Sequence, residues 1–144
     1  MQTISEFIQC DSRNYTHGRR GCKVDHIAIH YTGTEASAHN NLLYFSRNSV
    51  GASAHYFIDR DGTICQSVSE EDTAWAVGQW NMNCRSISIE NVSSGEDFTE
   101  AQKASLRDLV LDIMNRYGIS ADHVIRHYHV TGKLSPATYV DTSN

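Results

Sequence analysis

Residues 24–31, VDHIAIHY, alternate, with Ile27 and Ile29 on one face and His26, Ala28 and His30 on the other. A period of two predicts a strand with one face buried. SISIENV at 86–92 repeats the pattern, Ile87 and Ile89 opposing Ser86, Ser88 and Glu90. Residues 55–60 and 63–68 are apolar-rich runs flanking Asp61-Gly62, which reads as a hairpin. The spacing changes to 3.6 over 100–117, where Leu106, Leu109, Val110, Ile113, Met114 and Tyr117 form one apolar stripe. Thr99 can cap this helix, Gln102 completes a capping box and Gly118 supplies the stop. A weaker helix is predicted near 36–47, with Leu42, Leu43, Tyr44 and Phe45 apolar, and a short strand at 123–126. Strands interleaved with helices predict an α/β domain, a central mixed β-sheet with helices packed on its faces.

The 144 residues are enough for a single domain, taken as 1–140, with the polar residues 141–144 as a tail or the start of a linker. Hydrophobic residues at 40% and charged residues at 20% exclude a disordered chain. A formal charge of −5 argues against nucleic acid as a partner and against a polybasic hold on membranes. No stretch approaches the roughly 18 apolar residues of a membrane span. The N-terminal MQTISEFIQCDSRNY shows no basic region leading into an apolar core, so no signal peptide is expected. Without an export signal, Cys10, Cys22, Cys65 and Cys84 are expected to be free thiols, and the absence of C-x-x-C excludes a zinc ribbon.

Eight histidines raise the question of metal or proton chemistry. His30, Glu90 and the His127 end of the last strand are polar groups on faces opposite buried isoleucines. If those strands are neighbours, the groups converge on one open face. Two imidazoles with a third ligand from a loop make a catalytic zinc site with a free position. An isolated strand histidine is more often a hydrogen-bonded structural group, and Glu90 could equally be a salt-bridged structural carboxylate.

Five segments resemble the type 2 N-acetylmuramoyl-L-alanine amidases, the group that includes phage T7-type lysozymes and the peptidoglycan recognition proteins. IAIHYTG at 27–33 resembles their first zinc-ligand strand and SAHYFIDRDGTICQ at 53–66 their hairpin. AWAVGQWNMNCRSISIEN at 74–91 resembles their tryptophan–asparagine segment and the strand ending in an acidic residue. FTEAQKASLRDLVLDIMNRYGI at 98–119 resembles their long helix, and RHYHVTGKLSP at 126–136 the signature carrying the second histidine. The blocks occur in the family's order over about residues 24–140, and residues 1–23 carry little of the likeness.

The resemblance implies that His30 and His127 are Zn2+ ligands and that position 135, normally cysteine, is the third; here it is Ser135. It implies that Glu90 is the acid/base partner and that Lys133 stabilises the developing oxyanion. Position 129, commonly aspartate, is His129, and position 76, often histidine, is Ala76. A serine hydroxyl is much harder to deprotonate than a cysteine thiol, whose pKa near 8.5 a metal readily lowers. Noncatalytic recognition proteins of this superfamily have often exchanged that cysteine for serine. The implied activity is therefore zinc-dependent cleavage of the amide between N-acetylmuramic acid and L-alanine, impaired by Ser135, with a noncatalytic peptidoglycan-binding module as the alternative.

The expected partner is bacterial peptidoglycan, through its muramyl peptide, and the expected state a monomer. As an endolysin catalytic domain, the chain would stay in the host cytoplasm until released to the cell wall. His55 could pack under the hairpin or line the substrate cleft. Trp75 and Trp80 could be core or rim residues, or aromatic faces for sugar; they are counted with His55 and His129 as candidate substrate-binding residues. Tyr31 should be core, and His17, His39 and His123 surface or loop residues. A serine or cysteine hydrolase is disfavoured because there is no G-x-S-x-G elbow.

Overall fold

A computed structural model describes residues 3–126 of the chain. Its elements are β1 (Glu6–Phe7), β2 (Tyr15–Thr16), β3 (His26–Tyr31), α1 (Ala38–Arg47), β4 (Tyr56–Ile58), β5 (Ile64–Gln66), β6 (Thr73–Ala74), α2 (Trp80–Asn83), β7 (Ser86–Asn91), α3 (Glu100–Tyr117) and β8 (Val124–Arg126). Six strands form one mixed sheet in the order β1-β5-β4-β7-β3-β8, and β2 pairs with β6 in a small second sheet. The hairpin β4–β5 is antiparallel, whereas β4, β3 and β8 run parallel to their neighbours in the sheet's other half. The expected α/β architecture is thus present. Among the described residues, no helix is long and apolar enough to cross a membrane.

The alternating isoleucines define the two sides of the sheet. Ile27, Ile29, Ile87 and Ile89 lie fully buried with Ile58 and Ile64 beneath Leu106, Leu109 and Ile113 of α3. Each such side chain contributes roughly 1.5–3 kcal/mol on burial. The other side is covered only in part, by α1, through Ala38 and Leu42 against Phe57, Cys65 and Val92. Tyr31 packs partly buried against the α3-side core. Tyr117, assigned to the apolar stripe, is 38% exposed instead, and its hydroxyl donates to Glu70 Oε1 at 2.7 Å. The last turn of α3 passes beyond the sheet, so its final stripe position finds a carboxylate rather than a core.

The starts of α1 and α3 are held by side chains. Thr99 Oγ1 accepts from the Gln102 N–H, and Gln102 Oε1 accepts from the Thr99 N–H, each at 3.0 Å. The fully buried Gln102 amide also donates to the Val92 carbonyl at 2.8 Å, fixing α3 to the end of β7. At α1, Ser37 Oγ accepts from the Asn40 N–H, and Asp59 Oδ2 from the Ala38 N–H, both at 3.0 Å. These bonds satisfy amides that a helix N-terminus leaves open. In the β4–β5 turn Gly62 has φ +89°, and a β-carbon there would meet the Ala101 carbonyl oxygen at 2.9 Å. The turn can lie against α3 only because it is glycine.

In the N-terminal segment, largely silent in the sequence, Asn14 and Arg19 are tied into the fold. Asn14 is buried, and its amide donates to the carbonyls of Phe45 and Asn48 while its oxygen accepts from Val50 and Gly51. Arg19, nearly buried, donates to the carbonyls of Glu70, Cys84 and Ser86.

The expectation of four free thiols is corrected: Cys22 and Cys84 form a disulfide across 62 residues. Their partnership arises from topology, since each cysteine lies just ahead of one of two adjacent parallel strands, with His26 opposite Ser86. Cys84 is at the end of α2, not within a strand. Cys10 and Cys65 are free and buried, and burial pushes both thiols up to about 11. They are packing residues and poor nucleophiles.

Candidate active site

On the partly covered side of the sheet, β3 presents Ala28 and His30 and β7 presents Ser86, Ser88 and Glu90. The parallel register sets His30 directly beside Glu90, with Ala28 beside Ser88. Adjacent strands lie about 4.8 Å apart, so the imidazole and the carboxylate project from neighbouring points of one surface. Glu90 is flanked on its other side by Phe57 of β4. His30 is 2% exposed, whereas Glu90 is the one position of β7 that is not buried. Ala28, Ser86 and Ser88 on the same face are buried, beneath His55 and Arg19. Asn91 steadies the pairing by donating its amide to the His30 carbonyl at 3.1 Å.

Arg126, the last described residue, is opposite Ile29. His127, His129, Lys133 and Ser135 lie outside the described residues, as do the domain limit at 140 and the tail 141–144. Of the expected catalytic and metal residues, the structure therefore brings His30 and Glu90 together.

Two residues beyond His30, Thr32 opens a cavity of about 420 Å³ that continues over Thr34, Ala36, Asn40, Asn41, Tyr44 and Phe45. This volume lies in the range of small-molecule sites. Thr32 anchors its floor, its hydroxyl donating to the Thr34 carbonyl at 3.1 Å and accepting from the Ser93 N–H at 3.3 Å. The sequence reading missed this cavity. The amphipathic pattern of α1 could have signalled it, because Tyr44 is 54% exposed while Leu42 is fully buried.

His55 does not line a cleft; it is fully buried. Its Nδ1 accepts from the Ser88 N–H at 3.0 Å, which leaves the proton on Nε2 to be donated to the Asp72 carbonyl at 2.9 Å. Burial, reinforced by the Arg19 guanidinium, depresses its pKa from 6.5 to about 4, so it is neutral near pH 7. It ties β4, β7 and the 70–75 segment together, and the packed-under alternative is the one realised. Trp75 is half-buried and its indole N–H donates to Thr16 Oγ1 at 2.9 Å, tying it into the β2–β6 sheet. Trp80 is different: it is 41% exposed on α2, with the Arg20 guanidinium 5.2 Å above its ring. α2 joins β7 at the end opposite Glu90.

Among the described residues, one trio of side chains could hold a metal: Asp25, His26 and His123, whose ligand atoms lie within 4.8 Å of one another. It occupies the start of β3, four residues or about 13 Å from His30 along the strand. Its geometry does not favour a metal. The two imidazoles are stacked within 6° of parallel, so their in-plane lone pairs do not converge. The Asp25 carboxylate is already held by Arg85 at 2.8 and 3.1 Å.

The family described as N-acetylmuramoyl-L-alanine amidase matches residues 20–138. The chain is 29% identical over 161 residues to the N-acetylmuramoyl-L-alanine amidase CwlL of Bacillus licheniformis, covering 100% of this chain and 44% of that protein. It is 30% identical over 120 residues to the N-acetylmuramoyl-L-alanine amidase CwlA of Bacillus subtilis, covering 79% and 43%. The chain thus spans less than half the length of these curated relatives. Among solved structures, PlyL superposes with a TM-score of 0.80 at 27% identity, covering 94% of this chain and 87% of that one. The PlyG catalytic domain superposes with a TM-score of 0.79 at 29% identity, covering 94% and 84%.

Proposed function

Because the chain belongs to the N-acetylmuramoyl-L-alanine amidase family, we propose that it cleaves the amide between the lactyl group of N-acetylmuramic acid and L-alanine of the stem peptide in bacterial peptidoglycan. The observation that carries this reading is the lateral pairing of His30 with Glu90 on the side of the sheet away from α3. A buried imidazole beside a half-buried carboxylate suits one metal ligand next to one proton carrier.

His30, His127 and position 135 would hold Zn2+. Support for the second ligand comes from register: Arg126 is opposite Ile29, and His127 is the next residue in the chain. Zinc, when bound, polarises the amide carbonyl and brings the pKa of water down towards 7. Glu90 takes the proton of the attacking water and delivers one to the leaving amine, without which the C–N bond would expel a poor leaving group. Lys133 would supply the cation for the oxygen that gains charge in the tetrahedral intermediate, an effect typically worth about 3 kcal/mol. The cavity beginning at Thr32 receives substrate next to His30, with His129 a candidate outer contact, whereas Trp80, at the other end of β7, is not one.

Ser135 favours a second reading, a wall-binding module with little or no turnover. A thiolate contributes a full negative charge to the metal shell, and a serine hydroxyl contributes none unless the metal deprotonates it. The test compares the chain with Ser135→Cys for zinc retention against a chelator, wall binding, and amino groups released from cell wall with and without EDTA. The amidase reading expects S135C to raise zinc retention and EDTA-sensitive release together. Binding without release by either protein supports the module. His30→Ala should lose zinc while staying folded, and stoichiometric zinc in that variant would remove His30 from the ligand set.

A further inference from the structure

The cavity of about 420 Å³ that begins two residues beyond His30 is uncharged: none of its described lining residues is Asp, Glu, Lys, Arg or His. Charged side chains begin on the far side of Thr34, where Glu35, Arg60 and Glu96 line a separate cavity of about 120 Å³. What the larger cavity offers is neutral polarity in fixed places. Asn41, the fourth residue of α1, is 9% exposed. Its Nδ2 donates to the Ala36 carbonyl at 3.1 Å and to the Ser37 carbonyl at 2.9 Å. That pair of bonds settles the orientation of the carboxamide, because the reverse would set Oδ1 against two carbonyl oxygens. Among the described residues nothing donates to Asn41 Oδ1, and the atom is not sealed in the interior, so it opens onto the cavity as an acceptor held in one direction. The Asn40 carboxamide and the Thr34 hydroxyl, on the same lining, also have no partner among the described residues. Tyr44 and Phe45, with rings 5.5 Å apart and nearly perpendicular, add an apolar corner.

A fixed acceptor, a free hydroxyl and an apolar corner, with no charge among them, fit a secondary acetamide, which has one N–H to give, one carbonyl to receive and one methyl to cover. The inference rests on the amidase reading above, under which the substrate carries such a group close to the bond cleaved: the acetamido group and the lactyl ether are on adjacent ring carbons of muramic acid. We propose that this cavity is the acetamido subsite for the muramyl residue, with Asn41 as its specificity-determining side chain. Asn41 Oδ1 accepts the acetamido N–H, the Thr34 hydroxyl donates to the acetyl carbonyl, and the methyl meets Tyr44 and Phe45. The stem peptide beyond L-alanine carries carboxylates, for which this cavity holds no cation. The subsite therefore selects N-acetylated over de-N-acetylated glycan. Removing the acetyl group leaves an ammonium, which the cavity would desolvate with no counter-charge.

The test reads binding, without turnover and without metal. Chelator-treated protein is titrated, by NMR chemical shifts, with N-acetylmuramyl-L-alanyl-D-isoglutamine and with its de-N-acetylated form, at about pH 6, where the free amine is protonated. The acetylated ligand should bind about tenfold more tightly or better, as one well-made hydrogen bond and one uncompensated charge require. Asn41→Leu should bring the acetylated ligand down to the level of the free amine. Asn40→Asp keeps the experiment decisive if that variant does not fold. The Asn40 side chain has no partner to lose, and a carboxylate suits the first turn of a helix. Its charge should move the affinity ratio towards the free amine by about fivefold or more. Equal affinities in the unmodified protein, or a ratio that Asn40→Asp leaves in place, overturn the inference and leave the amidase reading standing. Binding of neither ligand overturns both.

Discussion

Reduction of the Cys22–Cys84 bridge is the perturbation whose size follows most directly from the structure. The bridge spans 62 residues, and cross-linking a loop of that length removes unfolded-chain entropy worth about 4 kcal/mol at 25 °C. The native contacts around it do not need the bond. The Cys22 N–H donates to the Arg19 carbonyl, and the Arg19 guanidinium holds the Glu70, Cys84 and Ser86 carbonyls. The reduced chain should therefore fold to the same structure with lower stability. In urea, with a slope of about 2 kcal/mol per molar, the unfolding midpoint should drop by about 2 M on adding a reductant. The Cys22→Ser/Cys84→Ser double variant should match the reduced protein and ignore the reductant. Thiol titration of the denatured, unreduced protein should find two thiols, Cys10 and Cys65. Four thiols, or midpoints that coincide with and without reductant, would refute the reasoning.

In a background with measurable turnover, Glu90→Gln should reduce it by about 10²–10⁴ with little change in melting temperature; a large stability loss with intact turnover would make Glu90 structural. Stability should fall with acid in two windows. His55 has a folded pKa depressed from 6.5 to about 4, so its contribution is full above 6.5 and is lost as pH drops towards 4. For Glu70 burial acts to raise the pKa, but Arg116, Tyr56 and Tyr117 outweigh it and hold the carboxyl at about 2 instead of 4.5. Its contribution, about 3 kcal/mol, is full above 4.5 and lost as pH falls towards 2, and Glu70→Gln should flatten that lower window in acid-unfolding curves. Gly62→Ala should destabilise by about 2 kcal/mol or more in a denaturant titration, from positive φ and the clash with the Ala101 carbonyl; a neutral outcome would show that the turn can lift from α3.

What could be read from the chain alone was what adjacent residues dictate. Ile27 and Ile29 opposite His26 and His30, Ile87 and Ile89 opposite Glu90, and the Thr99–Gln102 box closing at Gly118 are patterns within one strand or helix, and the structure forms them there. That His30 and Glu90 are candidates for chemistry was also legible, because a polar group facing away from buried isoleucines needs an explanation and the motifs resemble a known family. Their contact was decided only by the parallel pairing of β3 with β7, which no local period encodes. The same pairing joined Cys22 to Cys84 against the expectation of free thiols, and the sheet's enclosure turned His55 from a candidate cleft residue into a neutral interior tie. The strands β1, β2 and β6, each two residues long, were invisible because so short a segment has no period of its own. Periodicity reports which face of an element seeks burial, but which faces meet is settled by long-range register and burial, and those belong to the folded chain.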